Sequence, residues 1–337
     1  MNPFRGLALC ALAAHANLFA QTKSPSDDAV AVTALRNPVD KSYRRMVEGM
    51  ELFEKRHRLA PDAALRFKLL PRHRDTDMRE VRVEVVGDSF TAPVALAPDN
   101  TFTLERRAAA LKENASVRPN RKAKTMTWRA EIRTPGLPPD TRRLGDLRLE
   151  CHVGMEAELV SRYPSVLGWV MGIMGGTREA CESPEAPYLF FAERPLFSVT
   201  LSSGARRQVL SIGELYAGVA HGETPKEDLP YCDCEVLLDR AYSLPLGDRS
   251  WPDDALVEFQ YMDGAGGDAP AAGMSTSDEV RALLGEGTKL RFDSGYEVWA
   301  YAYGPDKPRR RRTELVVLLA PSGAVLKTRL RPAAASA

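Results

Sequence analysis

Residues 275–303 read STSDEVRALLGEGTKLRFDSGYEVWAYAY, residues 304–312 read GPDKPRRRR, and residues 313–332 read TELVVLLAPSGAVLKTRLRP. Thr276 or Ser277 is placed to cap a short helix, because a hydroxyl side chain satisfies a free backbone N–H at a helix start. The apolar positions Val280, Leu283 and Leu284 fall on one face of that helix. This stretch therefore opens with an amphipathic helix.

Three strand-like runs follow the helix: Tyr296–Tyr303, Glu314–Leu319 and Ala324–Arg331. Gly285 suits the helix end, because glycine takes the left-handed conformation without steric cost. Residues 321–323, Pro-Ser-Gly, form a tight turn between the last two strands. The pattern predicts a helix followed by an antiparallel meander.

This pattern resembles the SmpA/OmlA (BamE-like) family of outer-membrane-assembly lipoproteins. The features that match are the helix end at Leu284-Gly285, the strand Gly295–Trp299, the alternation of Tyr301 and Tyr303, and the strand Leu315–Leu319 that turns at Gly323. The resemblance covers about a sixth of the chain, residues 275–332. It implies a small α/β module with a binding or assembly role in the cell envelope. Members of the family are usually lipidated through an N-terminal cysteine, and no such cysteine lies near this module.

The amino-acid composition of the chain limits the kinds of partner that it is expected to bind. The chain has 337 residues, 44% hydrophobic and 27% charged, with a formal net charge of +1. This length predicts two or three units. The near balance of charge argues against a nucleic-acid partner, which a basic surface would recognise.

The first residues are typical of export. Residues 1–20 read as a signal peptide, with Arg5 before a short apolar run and Ala20 before the cleavage point. Lipidation at Cys10 is disfavoured, because bulky Leu9 occupies a position that should be small. Residues 21–37 form a polar, flexible leader. We expect a soluble periplasmic or secreted protein.

The rest of the chain is predicted to be mainly β, in the α+β class. Residues 38–153 are expected to form a helix, which Asp40 caps and which runs to about His57, and a β-sandwich. Residues 154–262 are expected to form a second β-rich section, with an apolar helix at Val166–Met174. Residues 263–274 form a Gly/Ala/Pro linker before the C-terminal module.

The strands expected outside that module alternate or are rich in β-forming residues. They are Leu65–Leu70, Val81–Val86, Phe90–Leu96, Phe102–Leu104, Met126–Arg133, Leu144–Val153, Tyr188–Phe191, Phe197–Leu201, Arg206–Leu210, Glu235–Asp239 and Leu256–Tyr261. No βαβ alternation is visible, which counts against a parallel sheet.

Four cysteines remain after the signal: Cys151, Cys181, Cys232 and Cys234. An even number in an exported chain indicates two disulfides, with three connectivities. A direct Cys232–Cys234 bond would be strained in a strand, so we favour pairing each of them with Cys151 or Cys181. A redox-active CxC pair and a metal site are the alternatives.

Catalysis has one candidate residue. Val85–Thr91 resembles the nucleophile block of GDSL-type esterases, with Ser89 as the nucleophile. The chain lacks the Asp-x-x-His pair that activates this serine, and Gly87-Asp88 is equally suited to a hairpin turn. Since no other catalytic motif is present, we expect no enzyme activity, no cofactor and no metal.

Binding has better candidates. The basic run Arg309, Arg310, Arg311 and Arg312 suits an acidic partner or an anionic membrane surface. Trp299, Tyr301 and Tyr303 share one strand face, which suits a partner interface or a small core. We expect an exported, non-enzymatic envelope protein with a protein partner. The alternatives are a secreted hydrolase that uses Ser89 and a periplasmic ligand-binding protein.

Overall fold

The chain is built mainly from antiparallel strands, as predicted. A computed structural model describes residues 40–122, 125–159, 181–182, 188–216, 237–264, 275–303 and 313–332. These described residues pack as one compact unit. In the described ranges, every helix is too short or too polar to cross a bilayer.

The N-terminal section holds two sheets and a helix. In chain order its elements are β1 (Lys41–Ser42), α1 (Tyr43–Arg56), β2 (Ala64–Pro71), β3 (Val83–Val86), β4 (Thr91–Val94), β5 (Thr101–Phe102), α2 (Ala108–Lys112), β6 (Ser116–Pro119) and β7 (Met126–Arg133). The strand orders are β1-β6-β3-β4 and β5-β2-β7. The predicted strands at 65–70 and 126–133 are confirmed, and they pair along their full length.

Helix α1 begins two residues later than the sequence predicted. Ser42 caps it, because its Oγ accepts a hydrogen bond from the Arg45 backbone N–H at 3.4 Å. Asp40, the predicted cap, lies before β1 instead. Tyr43, Met46 and Val47 are buried, as the apolar spacing of this helix predicted.

The middle section is organised around one helix and a four-stranded sheet. Its elements are β8 (Thr141–Arg143), α3 (Leu144–Glu156), β9 (Phe190–Phe191), β10 (Leu196–Ser203), β11 (Arg206–Val209), β12 (Ala241–Tyr242) and β13 (Leu256–Tyr261). The strand orders are β11-β10-β13-β8 and β12-β9. The apolar run Val166–Met174 lies outside the described residues.

Two predicted strands in this part are wrong. In Glu235–Asp239, the described residues lead into a 3-10 turn at Leu238–Arg240, where Asp239 is buried. Leu144–Val153 belongs to helix α3, in which every residue from Leu144 to Gly154 is buried. A helix buried on all sides has no polar face, so it lacks the 3.6-residue period by which helices are recognised in sequence.

Helix α3 lies between two hydrophobic cores. Leu149, Val153 and Ala157, spaced four residues apart, pack into the core of the N-terminal section. Leu147 and Cys151, also four apart, pack into the core of the middle section. The apparent alternation of this segment therefore comes from two helical stripes that face opposite sides.

The C-terminal section forms the predicted helix and meander. Its elements are α4 (Ser277–Leu284), β14 (Thr288–Arg291), β15 (Glu297–Tyr303), β16 (Thr313–Leu319) and β17 (Val325–Pro332), with strand order β14-β15-β16-β17. Thr276 caps α4 by accepting from the Glu279 N–H, and Gly285 ends it at φ +75°. Strand β14 had not been predicted.

The two faces of this sheet have different neighbours. Val298, Val316 and Leu318 share a core with the middle section, while Trp299 and Val317 on the other face pack with Val280 of α4. The described residues before and after the predicted linker 263–274 therefore contribute to one continuous core. The linker itself is described only as far as Gly264.

Candidate functional site

The predicted cysteine pairing is wrong where the structure describes it. Cys151 of α3 is bonded to Cys181, with the two Cα atoms 5.8 Å apart. Both residues are buried in the core of the middle section. Helix α3 directs Cys151 toward Cys181. The sequence analysis assigned this segment to a strand, so it did not predict the two cysteines as neighbours. Cys232 and Cys234 lie outside the described residues.

Ser89 lies in the turn between β3 and β4. The turn is closed by the Gly87 N–H, which donates to the carbonyl oxygen of Phe90 at 2.9 Å. The Ser89 hydroxyl donates to Oε1 of Glu113 at 2.5 Å, and its backbone N–H donates to Oε2 at 2.9 Å. These bonds lower the pKa of the exposed Glu113 carboxyl, which makes it a weaker base. The geometry therefore gives Ser89 a turn-stabilising contact.

A cluster of buried charges lies in a cleft beside α3. Arg142 is buried and donates hydrogen bonds to Glu150 and to the carbonyl oxygen of Ile132. The Ile132 N–H donates to Oε1 of Glu150 at 2.8 Å. Burial, together with the charge of nearby Glu131, raises the pKa of Glu150 to about 7 although Arg142 opposes the shift.

Further charges surround this pair. Lys68 forms an ion pair with Glu193 at 2.5 Å, Glu131 forms one with Arg133 at 3.0 Å, and the Arg129 guanidinium lies 4.4 Å from the ring centre of Phe191. Perturbed carboxylates in a cleft are a recognised sign of an active site. The cavity at this cluster has a volume of about 40 Å³, which is room for a few water molecules.

A second candidate lies on the outer face of the C-terminal sheet. Helix α4 covers only part of this face, and beside it runs an open groove of about 530 Å³ whose lining includes Leu284, Tyr301 and Leu315. Leu330 pairs directly with Leu315 and is 47% exposed. We call Leu284, Tyr301, Leu315 and Leu330 the leucine patch.

Several large apolar side chains of the C-terminal section are exposed to solvent. In the described ranges, the exposed large hydrophobic residues are Leu283, Leu284, Leu326 and Leu330. The sequence places Val280, Leu283 and Leu284 on one helix face, yet of these three only Val280 is fully buried. A four-residue spacing identifies a helix face, but it does not tell how much of that face the sheet covers.

The aromatic residues proposed for binding lie mostly inside the small core. Trp299 is buried below α4, and Tyr301 is 8% exposed at the edge of the groove. The Tyr301 hydroxyl has no hydrogen-bond partner in the described part of the chain. Tyr303 lies in β15, with nothing described of its side chain, and Arg309, Arg310, Arg311 and Arg312 lie outside the described residues.

The buried charges and the exposed leucines were both missed in the sequence. The signal for the charges was present, since Arg148, Glu150 and His152 alternate with apolar residues in one run. A metal site receives no support from the described residues, where no group of three or more His, Cys, Asp or Glu is placed to hold an ion.

Comparison with protein-family models, with curated proteins and with solved structures finds no match to this chain. The function must therefore be argued from the geometry of its own residues.

Proposed function

We propose that this chain is an exported, non-enzymatic protein of the cell envelope that binds a protein partner through the leucine patch of its BamE-like C-terminal module. The observation that carries the proposal is the groove beside α4. Its wall combines the exposed Leu284 and the half-buried Leu315 with the buried hydroxyl of Tyr301, which has no hydrogen-bond partner among the described residues. A buried hydroxyl without a partner costs about 1–3 kcal/mol, which a partner's polar group would recover.

The expected partner presents apolar side chains flanked by acidic residues. Apolar patches on a protein surface mark interaction sites more often than isolated exposed residues do. The basic run Arg309–Arg312 is connected in sequence to the ends of β15 and β16, which belong to the same sheet as the patch. Acidic residues on the partner would complement this run. An anionic membrane surface is the alternative partner for the same arginines.

A periplasmic or secreted location is part of this proposal. The Cys151–Cys181 disulfide is favoured in an oxidising compartment and is rare in a reducing one. Residues 1–20, read as a signal peptide, lie outside the described residues. The disulfide and the sequence of this segment support export by independent physical reasons.

The non-enzymatic part of the proposal is supported because the carboxyl with a raised pKa and the large groove lie at different places in the fold. The carboxyl with a raised pKa, Glu150, lies in a cavity of about 40 Å³. The groove beside α4 is far larger, and its lining holds one carboxylate, Glu286, among leucine, tyrosine, threonine and small residues. The Ser89 hydrolase and a periplasmic ligand-binding protein remain the alternative functions.

We further propose that the two N-terminal sheets pack face to face as a sandwich. One hydrophobic core takes Phe67 and Trp128 from the sheet β5-β2-β7, and it takes Val83, Val85 and Val117 from the sheet β1-β6-β3-β4. Side chains from two sheets interdigitating in one core are typical of that architecture.

Site-specific crosslinking tests the binding proposal. A photo-crosslinking amino acid replaces Leu330 in one variant and the exposed Ala109 of α2 in the matched control, and both are expressed in the native envelope. We expect a discrete adduct with an envelope protein from position 330 and none from position 109. Excess purified wild-type protein should suppress the adduct, whereas excess Leu284→Glu protein should not.

Two results would overturn the proposal. One is the absence of any adduct at position 330, and the other is equal competition by wild-type and Leu284→Glu protein. Adducts formed only with lipid at position 330 would favour the membrane surface over a protein partner.

A further inference from the structure

A second groove lies on the opposite face of β17 from the leucine patch. Adjacent residues of a strand point to opposite faces, so Arg329 faces away from the side on which Leu330 lies. The Arg329 Nη1 reaches the hydroxyls of Ser198 and Thr200 in β10, both at 3.5 Å. The groove between β17 and the middle sheet has a volume of about 490 Å³, which falls within the range of small-molecule sites.

The groove is lined by the cations Arg194, Arg207 and Arg329 and by the carboxylates Asp140 and Glu258. Arg194 forms an ion pair with Asp263 at 2.9 Å, and Arg207 forms one with Glu258 at 2.8 Å. Arg329 has no carboxylate within ion-pair distance among the residues that the structure describes. Its Nε is buried there without any hydrogen-bond partner.

Lys327 lies close to these charged groups. Its side chain is 5% exposed, and its Nζ donates to the carbonyl oxygen of Tyr261. Burial, and after it the charges of Arg194 and Arg329, lower the pKa of Lys327, while Asp263 opposes them. A bound anion would relieve the repulsion between these cations.

We propose that this groove binds a small solute through an oxyanion group, which Arg329 receives. A guanidinium presents a rigid fork of N–H donors that fits phosphate, sulfate or carboxylate oxygens. Arg194 forms the second contact, because it lies on the same groove and has a partner, Asp263, that is itself 44% exposed. Phe259 and Tyr261 line the groove and offer apolar surface to the organic part of the solute.

Asp263 competes with the ligand for Arg194, and this gives the proposal its sharpest test. Removing the Asp263 carboxylate frees the Arg194 guanidinium for the anion. It also removes a negative charge that would repel the anion. Asp263→Asn should therefore tighten anion binding severalfold. A gain in affinity cannot arise from misfolding, so this variant complements the loss expected of Arg329→Gln.

The experiment titrates inorganic phosphate into full-length mature protein by calorimetry, at constant ionic strength in chloride. We expect saturable binding that Arg329→Gln weakens at least tenfold and Asp263→Asn strengthens. Arg291→Gln is the matched control, because Arg291 is an exposed arginine of β14 in the same sheet. Its affinity should equal that of the wild type.

A parallel arm presents the phosphate group at a surface, using sedimentation with phosphatidylglycerol vesicles. The proposal is supported if Arg329→Gln loses binding to phosphate or to vesicles while Arg291→Gln keeps it. Loss of phosphate binding identifies a free solute as the ligand, and loss of vesicle binding identifies a lipid headgroup. The proposal fails if neither probe binds saturably, or if Arg329→Gln and Arg291→Gln behave alike. Because the leucine patch lies on the other face of β17, these outcomes are independent of partner binding.

Discussion

Helix α3 and the outer face of the C-terminal sheet invert the usual distribution of side chains. In α3, charged residues are buried: Asp146 is 0% exposed and Arg148 is 3% exposed. On the C-terminal sheet, Leu330 is 47% exposed, and Leu283 of α4 is 60% exposed. The comparison shows that burial here follows the position of an element between cores more than the polarity of its residues.

The buried charges Asp146 and Arg148 of α3 are hydrogen-bonded to neighbouring groups. Asp146 accepts from the backbone N–H of Thr134 at 2.8 Å and from its hydroxyl at 2.7 Å. Arg148 donates to the carbonyl oxygens of Leu246, Trp251 and Asp248 and to the Asp253 carboxylate. A buried pair still carries the cost of desolvation, but removing one partner costs far more because it leaves an uncompensated buried charge. The exposed leucines have no comparable contacts with the described residues.

The largest effect should come from removing the central cation of the buried cluster. Arg142→Gln leaves Glu150 and Glu131 without their shared counter-charge, and we expect it to lower the free energy of unfolding by about 3–5 kcal/mol. The matched control is Arg79→Gln, which breaks an exposed pair with Asp77. That loss should be at most about 1 kcal/mol. Equal losses in chemical denaturation would contradict a structural role for the cluster.

A smaller effect should appear in the pH dependence of stability. The pKa of Glu150 is raised to about 7 in the folded chain, from an ordinary value near 4.5. Between these values the folded state binds an extra proton, so the contribution of Glu150 to stability is present at low pH and is lost as the pH rises. A glutamine cannot titrate. The stability of the wild type relative to Glu150→Gln should therefore fall by about 2 kcal/mol from pH 5 to pH 8.

Chemical denaturation at pH 5, 6, 7 and 8 measures this difference. If the stability of the wild type relative to Glu150→Gln rises with pH, then the charge of Arg142 outweighs the effect of burial and keeps Glu150 ionised. In that case the pKa of Glu150 would lie below its ordinary value.

The smallest effect on stability should come from the exposed leucines of the C-terminal section. Leu283→Ser in α4 removes an apolar side chain that packs little, so the free energy of unfolding should change by less than about 0.5 kcal/mol. Val280→Ser in the same helix removes a fully buried side chain and should cost about 1–3 kcal/mol. Thermal melts of the two variants check the contrast. A large loss for Leu283→Ser would assign Leu283 to the core and weaken the case for a binding surface.

Elements with a local helix or strand period were predictable even where they are buried, as Met126–Arg133 is, whereas helix α3 was not. The α1 stripe at Tyr43, Met46 and Val47, the strand Met126–Arg133 and the helix-and-meander order of residues 275–332 all follow from local periodicity. Helix α3 was misread because two cores leave it no polar side. Of the proposed binding residues, Tyr301 lies on the groove and Trp299 below α4, and this difference depends on how far the helix reaches over the sheet.

The amino-acid sequence by itself determined the mainly β class, the α1 stripe, the cap and the glycine stop of α4, and the order of the C-terminal meander, because each depends on neighbours within a few residues. Only the tertiary structure decided the Cys151–Cys181 pairing, the fold of Leu144–Val153, the satisfaction of the buried charges and the exposure of Leu330. These features depend on which distant surface covers a residue. Local sequence carries no record of that surface, so packing alone decides it.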